Sequence, residues 1–106
     1  MSTEKTRTEL LVETLASSPD NTFVRYALAI ELSNSAEPAS AWQHFEYLLT
    51  HHPEYAAAYY QAGKFLAKQR RLDEARDVFA RGIEVTGRQG NLHAQSELQA
   101  ALDELS

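Results

Sequence analysis

The sequence predicts an all-α protein, an α-α superhelix of about six antiparallel helices. Three observations predict it. The stretch Tyr59–Gly87 reads as two amphipathic helices with a short turn between them. Moved back by 34 residues, its framework falls on residues of the same kind: Ala62 on Leu28, Gly63 on Ala29, Leu66 on Leu32, Ala75 on Ala41, Phe79 on Phe45. Five size-matched coincidences at one offset mark a repeat, in which stacked units share a core that none could bury alone. Finally, only three prolines and four glycines interrupt an alanine-containing chain, which leaves room for long helices.

Each helix carries its own signals. Residues 3–17 form a first helix, with Leu10, Leu11 and Leu15 on one face together with Arg7 and Thr14. Ser17 to Asn21 breaks it, and Asp20, Asn21 or Thr22 can cap the second helix. That helix, residues 22–34, has two apolar stripes: Val24, Leu28 and Leu32, then Phe23, Tyr26 and Ile30. A helix apolar on two sides needs cover on both. Pro38 opens a third helix, 38–51, where its missing N–H costs nothing. Its inward face is Ala41, Trp42, Phe45, Leu48 and Leu49. A fourth helix, about 54–68, repeats the two stripes: Tyr59, Ala62 and Leu66, then Ala57, Tyr60, Lys64 and Ala67. The fifth, about 73–86, has Asp73 as N-cap and packs through Ala75, Val78, Phe79, Gly82 and Ile83. Gly87 is expected to close it in the left-handed conformation. A sixth helix, 91–105, carries one stripe of Ala94, Leu98, Ala101, Leu102 and Leu105. The 34-residue offset places His93, Ser96, Glu97 and Ala100 at framework positions, which is too polar for a full repeat. This helix is expected to cap the stack with a wet outer face.

Composition narrows the function. A chain of 106 residues suits one domain, 1–106, and 43 % hydrophobic residues is ordinary for a soluble protein. A net charge of −5 disfavours a nucleic-acid or anionic-membrane surface, and the chain lacks an apolar stretch of membrane-spanning length. Without cysteine there is neither a disulfide framework nor a thiolate zinc site. The charged segment MSTEKTRTELLVETL does not read as a signal peptide, so the expected location is the cytoplasm.

The paired helices, with small residues at fixed places, are similar to the tetratricopeptide repeat. Residues 56–89 hold its pattern as Tyr59, Ala62-Gly63, Leu66, Ala75, Phe79, Gly82 and Gly87. Residues 22–55 hold it as Arg25, Leu28-Ala29, Leu32, Ala41, Phe45, Leu48 and Pro53. Two departures stand out: Arg25 replaces an aromatic residue, and Gly87 replaces the exit proline. The resemblance implies a solenoid whose first helices line a concave groove that holds a peptide or a partner's helix. It places Phe23, Tyr26, Ile30 and Ser33 in that groove from one repeat, and Ala57, Tyr60, Lys64 and Ala67 from the next. The leftover apolar stripes select the same positions. Lys64 and Lys68 add positive charge at one side and favour an acidic group. Where chaperone-type clamps carry lysine and asparagine, this chain has Tyr26 and Ile30, so that mode is not supported.

Three readings of the second stripe remain open. It binds a protein or peptide partner; or flanking helices cover it as core; or a second copy covers it in a homodimer, making the chain a self-associating structural unit. Chemistry has little support. His44 and His51 lie about 10 Å apart along a helix, too far to share an ion, and no HExxH occurs. Neither a nucleophile motif nor a phosphate loop is present, and Arg70-Arg71 is a weak nucleic-acid signal. The expectation is a non-enzymatic protein with no catalytic residue, metal or cofactor.

Overall fold

A computed structural model describes residues 4–105, which form six α-helices and, among these residues, no strand. They are α1 (Arg7–Ser17), α2 (Thr22–Ser33), α3 (Pro38–His51), α4 (Ala56–Lys68), α5 (Leu72–Gln89) and α6 (Leu92–Glu104). The chain divides into two compact units, Met1–Leu48 and Leu49–Ser106.

In the first unit, α1 starts later than residue 3, which itself lies outside the described residues. Thr6 sets the start: its hydroxyl oxygen accepts from the Glu9 N–H at 3.1 Å, and its hydroxyl donates to the Glu9 carboxylate at 3.2 Å. Side chains three apart thus close the first turn. Leu15 is buried and Leu11 half-buried, but Leu10, placed on the same face by its spacing, is 52 % exposed. Adjacent positions on a helix diverge by about 100°, and one apolar face cannot take both Leu10 and Leu11 fully. Asn21 is the cap of α2, accepting from the Val24 N–H at 3.0 Å. Ala27, Leu28, Ala29 and Leu32 of α2 are buried, as are Ala41, Phe45 and Leu48 of α3. Glu31 is not simply a solvated charge; it takes the Arg7 guanidinium at 2.6 Å and ties α1 to α2.

Arg25 explains how an arginine stands where an aromatic residue was expected. One guanidinium nitrogen donates to the Pro19 carbonyl at 2.8 Å, and another meets His44 Nδ1 at 3.1 Å. The guanidinium carbon lies over the Tyr47 ring, 3.7 Å from its centroid. A planar cation over a ring fills an aromatic residue's place while keeping its own hydrogen bonds. Burial and the neighbouring Arg25 hold His44 below its usual pKa, which keeps the ring neutral and able to accept that bond.

In the second unit, α5 packs on both α4 and α6. Close approach is set by two glycines. A Cβ on Gly63 would overlap the Phe79 ring, and one on Gly82 would lie 2.6 Å from Tyr59 Cβ and 3.0 Å from Leu98. Tyr59, Phe79 and Leu98 therefore interlock through the gaps those glycines leave. The Tyr59 hydroxyl donates to the Pro53 carbonyl at 2.7 Å, and burial raises its pKa, so it stays protonated.

Both boundaries of α5 differ from expectation, whereas α4 ends at Lys68 as expected. First, α5 does not stop at Gly87. It runs to Gln89, and Gly90 takes the left-handed turn at φ 70°. The Asn91 N–H reaches the Thr86 carbonyl at 2.9 Å and the Gly90 N–H the Gly87 carbonyl at 3.1 Å, the paired bonds of a Schellman end. Val85 and Thr86 are consequently buried inside the helix, with the Thr86 hydroxyl donating to the Gly82 carbonyl at 2.8 Å. Second, Asp73 is not the N-cap. The helix begins at Leu72, no side chain caps it, and Asp73 instead accepts from Arg76 at 2.8 Å in the first turn. Helix α4 ends by the same paired bonds, Arg71 N–H to Leu66 and Arg70 N–H to Ala67, with Arg70 at φ 65°. Asn91 caps α6 by accepting from the Ala94 N–H at 3.2 Å.

Candidate partner-binding cleft

The residues singled out by their second-stripe positions fall in both compact units, and each unit presents its own surface. On α2, Phe23 is 68 % exposed, while Tyr26, Ile30 and Ser33 are half-buried. The Ser33 hydroxyl donates to the Ile30 carbonyl at 2.6 Å, so it is turned back on its own helix. Phe23 at the start of α2 is thus the most open apolar side chain of the four.

On α4, Lys64, Lys68 and Ala57 are exposed, and Tyr60 and Ala67 are half-buried. Tyr60, Lys64, Ala67 and Lys68 converge on one cleft, of about 420 Å³, between α4 and α6. Ala57 does not line it. Positions 60, 64, 67 and 68 share a helical face, because they are separated by one or two turns. The opposite wall comes from α6, through Glu97, Ala100, Ala101, Glu104 and Leu105, and Phe79 of α5 contributes at the junction. Small side chains at Ala67, Ala100 and Ala101 leave the space open. The Lys64 ammonium lies 5.1 Å from the Tyr60 ring centroid, within cation–π range.

The electrostatics are two-sided. Lys64 and Lys68 line the α4 wall; Glu97 and Glu104 line the α6 wall. Glu97 also meets His93 at 3.2 Å on its own helix, both side chains being exposed. The α6 wall was not anticipated as part of a site. The packed face of α6 is the stripe Ala94, Leu98, Ala101, Leu102 and Leu105, whereas His93, Ser96, Glu97 and Ala100 are exposed. Two of those exposed residues, Glu97 and Ala100, line the cleft. The signal that could have found them is the sidedness of α6: residues beside its packed stripe face across from α4.

Among the described residues, no three histidine, aspartate or glutamate side chains converge as metal ligands would. No helix among them is long and apolar enough to cross a membrane. Arg71 takes Glu74 through two bonds, at 2.9 and 2.6 Å, which holds that carboxyl below its usual pKa.

A tetratricopeptide repeat family model matches residues 35–103. The chain belongs to the tetratricopeptide repeat family. Solved structures carry the same fold. This tetratricopeptide repeat protein is similar to a tetratricopeptide repeat domain protein from Salinibacter ruber solved in solution, at 37 % identity over 84 % of this chain and 90 % of that one, with TM-score 0.79. The crystal structure of a Salinibacter ruber tetratricopeptide repeat domain gives 37 % identity over 81 % and 96 %, with TM-score 0.75. A Bordetella parapertussis protein solved in solution covers 96 % of this chain and 89 % of its own at 27 % identity, with TM-score 0.82. No curated protein matches the chain. Tetratricopeptide repeats are generally non-catalytic scaffolds for protein–protein interaction.

Proposed function

We propose that this chain is a protein-interaction module that holds a peptide or partner helix in the α4–α6 cleft. The observation that carries the reading is the convergence of Tyr60, Lys64, Ala67 and Lys68 on one open cleft. Its apolar lining offers anchoring contact and its charged rims offer selectivity. The repeats at 22–55 and 56–89, with α6 as their cap, belong to the same proposal. So do Ala57 and the α2 residues Phe23, Tyr26, Ile30 and Ser33 as further contact positions. The module carries out no catalysis, uses no cofactor or metal, and works in the cytoplasm away from nucleic acid and membrane. The acidic balance of the chain supports that last point.

The test is capture of a partner by Tyr60→Ala and Lys64→Glu variants. Capture is expected to be lost while the melting temperature changes little, because Tyr60 is half-buried and Lys64 exposed. A large loss of stability in Tyr60→Ala assigns that ring to the core and overturns the reading.

Phe23 supports a second reading. A phenylalanine 68 % exposed at the start of α2 suits a contact between two copies, as in a homodimeric assembly unit. That reading expects a dimer in sedimentation that Phe23→Ser dissociates; a monomer at high concentration contradicts it.

A further inference from the structure

We propose that the α4–α6 cleft selects the direction in which an amphipathic helix lies in it, through the opposite charges of its two walls. The inference rests on the reading of this cleft as the docking site. Lys64 and Lys68 stand one turn apart on α4, about 6 Å along its axis; Glu97 and Glu104 stand two turns apart on α6, about 10 Å. All four are exposed, and Tyr60 and Phe79 also line the cleft. The lined length, residues 60–68 on α4 and 97–105 on α6, is about 12 Å, which accommodates two turns of a partner helix.

An amphipathic helix offers one apolar ridge and two polar edges. Turning it end for end keeps the ridge in the cleft and exchanges the edges. Between walls of like charge, the two directions are electrostatically equal. Between a lysine wall and a glutamate wall they are not. A helix with acidic side chains along one edge and basic side chains along the other makes favourable pairs in one direction and meets like charges in the other. The occupant is therefore a helix of that kind. A helix acidic on both edges meets Glu97 and Glu104, and one basic on both edges meets Lys64 and Lys68. Like-charge contact at an interface is a strong discriminator.

The experiment uses two helical peptides of about four turns with the same leucine ridge. One carries glutamates on the first edge and lysines on the second; the other has the edges exchanged. Each bears a nitroxide at its N-terminus, and amide line-broadening in the protein reports where that end lies. One peptide is expected to broaden the Ala56–Tyr59 end of α4 and the other the Lys68–Arg70 end. The preference for one direction should be about tenfold at low salt and should fade as salt is added. In a variant carrying Lys64→Glu, Lys68→Glu, Glu97→Lys and Glu104→Lys, the two peptides should exchange ends. Broadening at both ends by each peptide, or at the same end by both, overturns the directional inference and leaves the docking site standing. Failure of both peptides to bind the wild-type protein overturns the inference and the docking reading together. The wild-type comparison decides the matter even where the fourfold variant does not fold.

Discussion

Arg70 is an arginine in a glycine's position. Its φ of 65° puts it in the left-handed region, where an L side chain costs roughly 1–2 kcal/mol. Nothing in residue type announces this, since Gln69-Arg70-Arg71 reads as a plain polar turn, and only the bonds to Leu66 and Ala67 reveal that the helix ends through a left-handed residue. Arg70→Gly should relieve the strain, offset in part by the greater freedom of glycine in the unfolded chain, for a net gain of about 0.5 kcal/mol. A thermal melt should move up by a few degrees, and Arg70→Val should move it down. Gly82 predicts the opposite sign. A methyl there would press on Tyr59 and Leu98 together, so Gly82→Ala should cost about 1–3 kcal/mol in denaturant unfolding. His44 supplies a pH dependence. Its pKa is held down in the folded protein, so the unfolded chain binds the proton more readily. Stability is full above the unfolded value of 6.5 and falls as pH drops from there toward the lower folded value. Melting temperature should therefore decline in mild acid, and His44→Gln, which retains an acceptor for Arg25, should flatten that decline.

At the scale of elements, helix existence could be read from the sequence better than exact helix bounds: α1 starts at Arg7 rather than residue 3, and α5 ends at Gln89 rather than about residue 86. Six periodic stretches became six helices; Pro38 opens α3 as its backbone chemistry placed it, and Asn21 is the one of three candidate residues that caps α2. The misplaced end of α5 has a physical cause. A helix stops where its last carbonyls find partners, and either of two nearby glycines can supply the turn. Gly87 was passed over for Gly90, which lets Val85 and Thr86 complete the packed face of α5. The same longer α5 explains why the strict 34-residue offset selected the exposed residues of α6 and missed Leu98, which is buried near Gly82. The candidate site was half visible for that reason. Its α4 wall comes from the repeat pattern, and its α6 wall depends on a register that the pattern does not carry. The cap of α6 is itself testable: Asn91→Ala removes the acceptor for the Ala94 N–H and should cost about 1 kcal/mol of stability.

For the whole molecule, the proposed role of α6 is to cap the array. Repeat arrays are held by nearest-neighbour contacts, and a terminal helix shields the last apolar face. Deleting the chain from Asn91 onward would expose Phe79 and Ile83, remove Leu98 from its place beside Gly82, and take away one wall of the cleft. The truncated protein should aggregate or melt early; one that stays soluble with unchanged melting would show that α6 does not cap the array. Sedimentation over a wide concentration range separates the two interaction readings, since only the self-assembly reading expects a concentration-dependent dimer. The central claim is that the α4–α6 cleft is where a partner segment docks. Its most direct measurement is to select binding peptides from a random library and map one onto the protein by amide chemical shifts. The account predicts that the largest shifts cluster at Tyr60, Lys64, Ala67, Ala100 and Ala101, and that Tyr60→Ala abolishes them at nearly unchanged melting temperature. Shifts centred elsewhere, or binding that survives Tyr60→Ala, would contradict it.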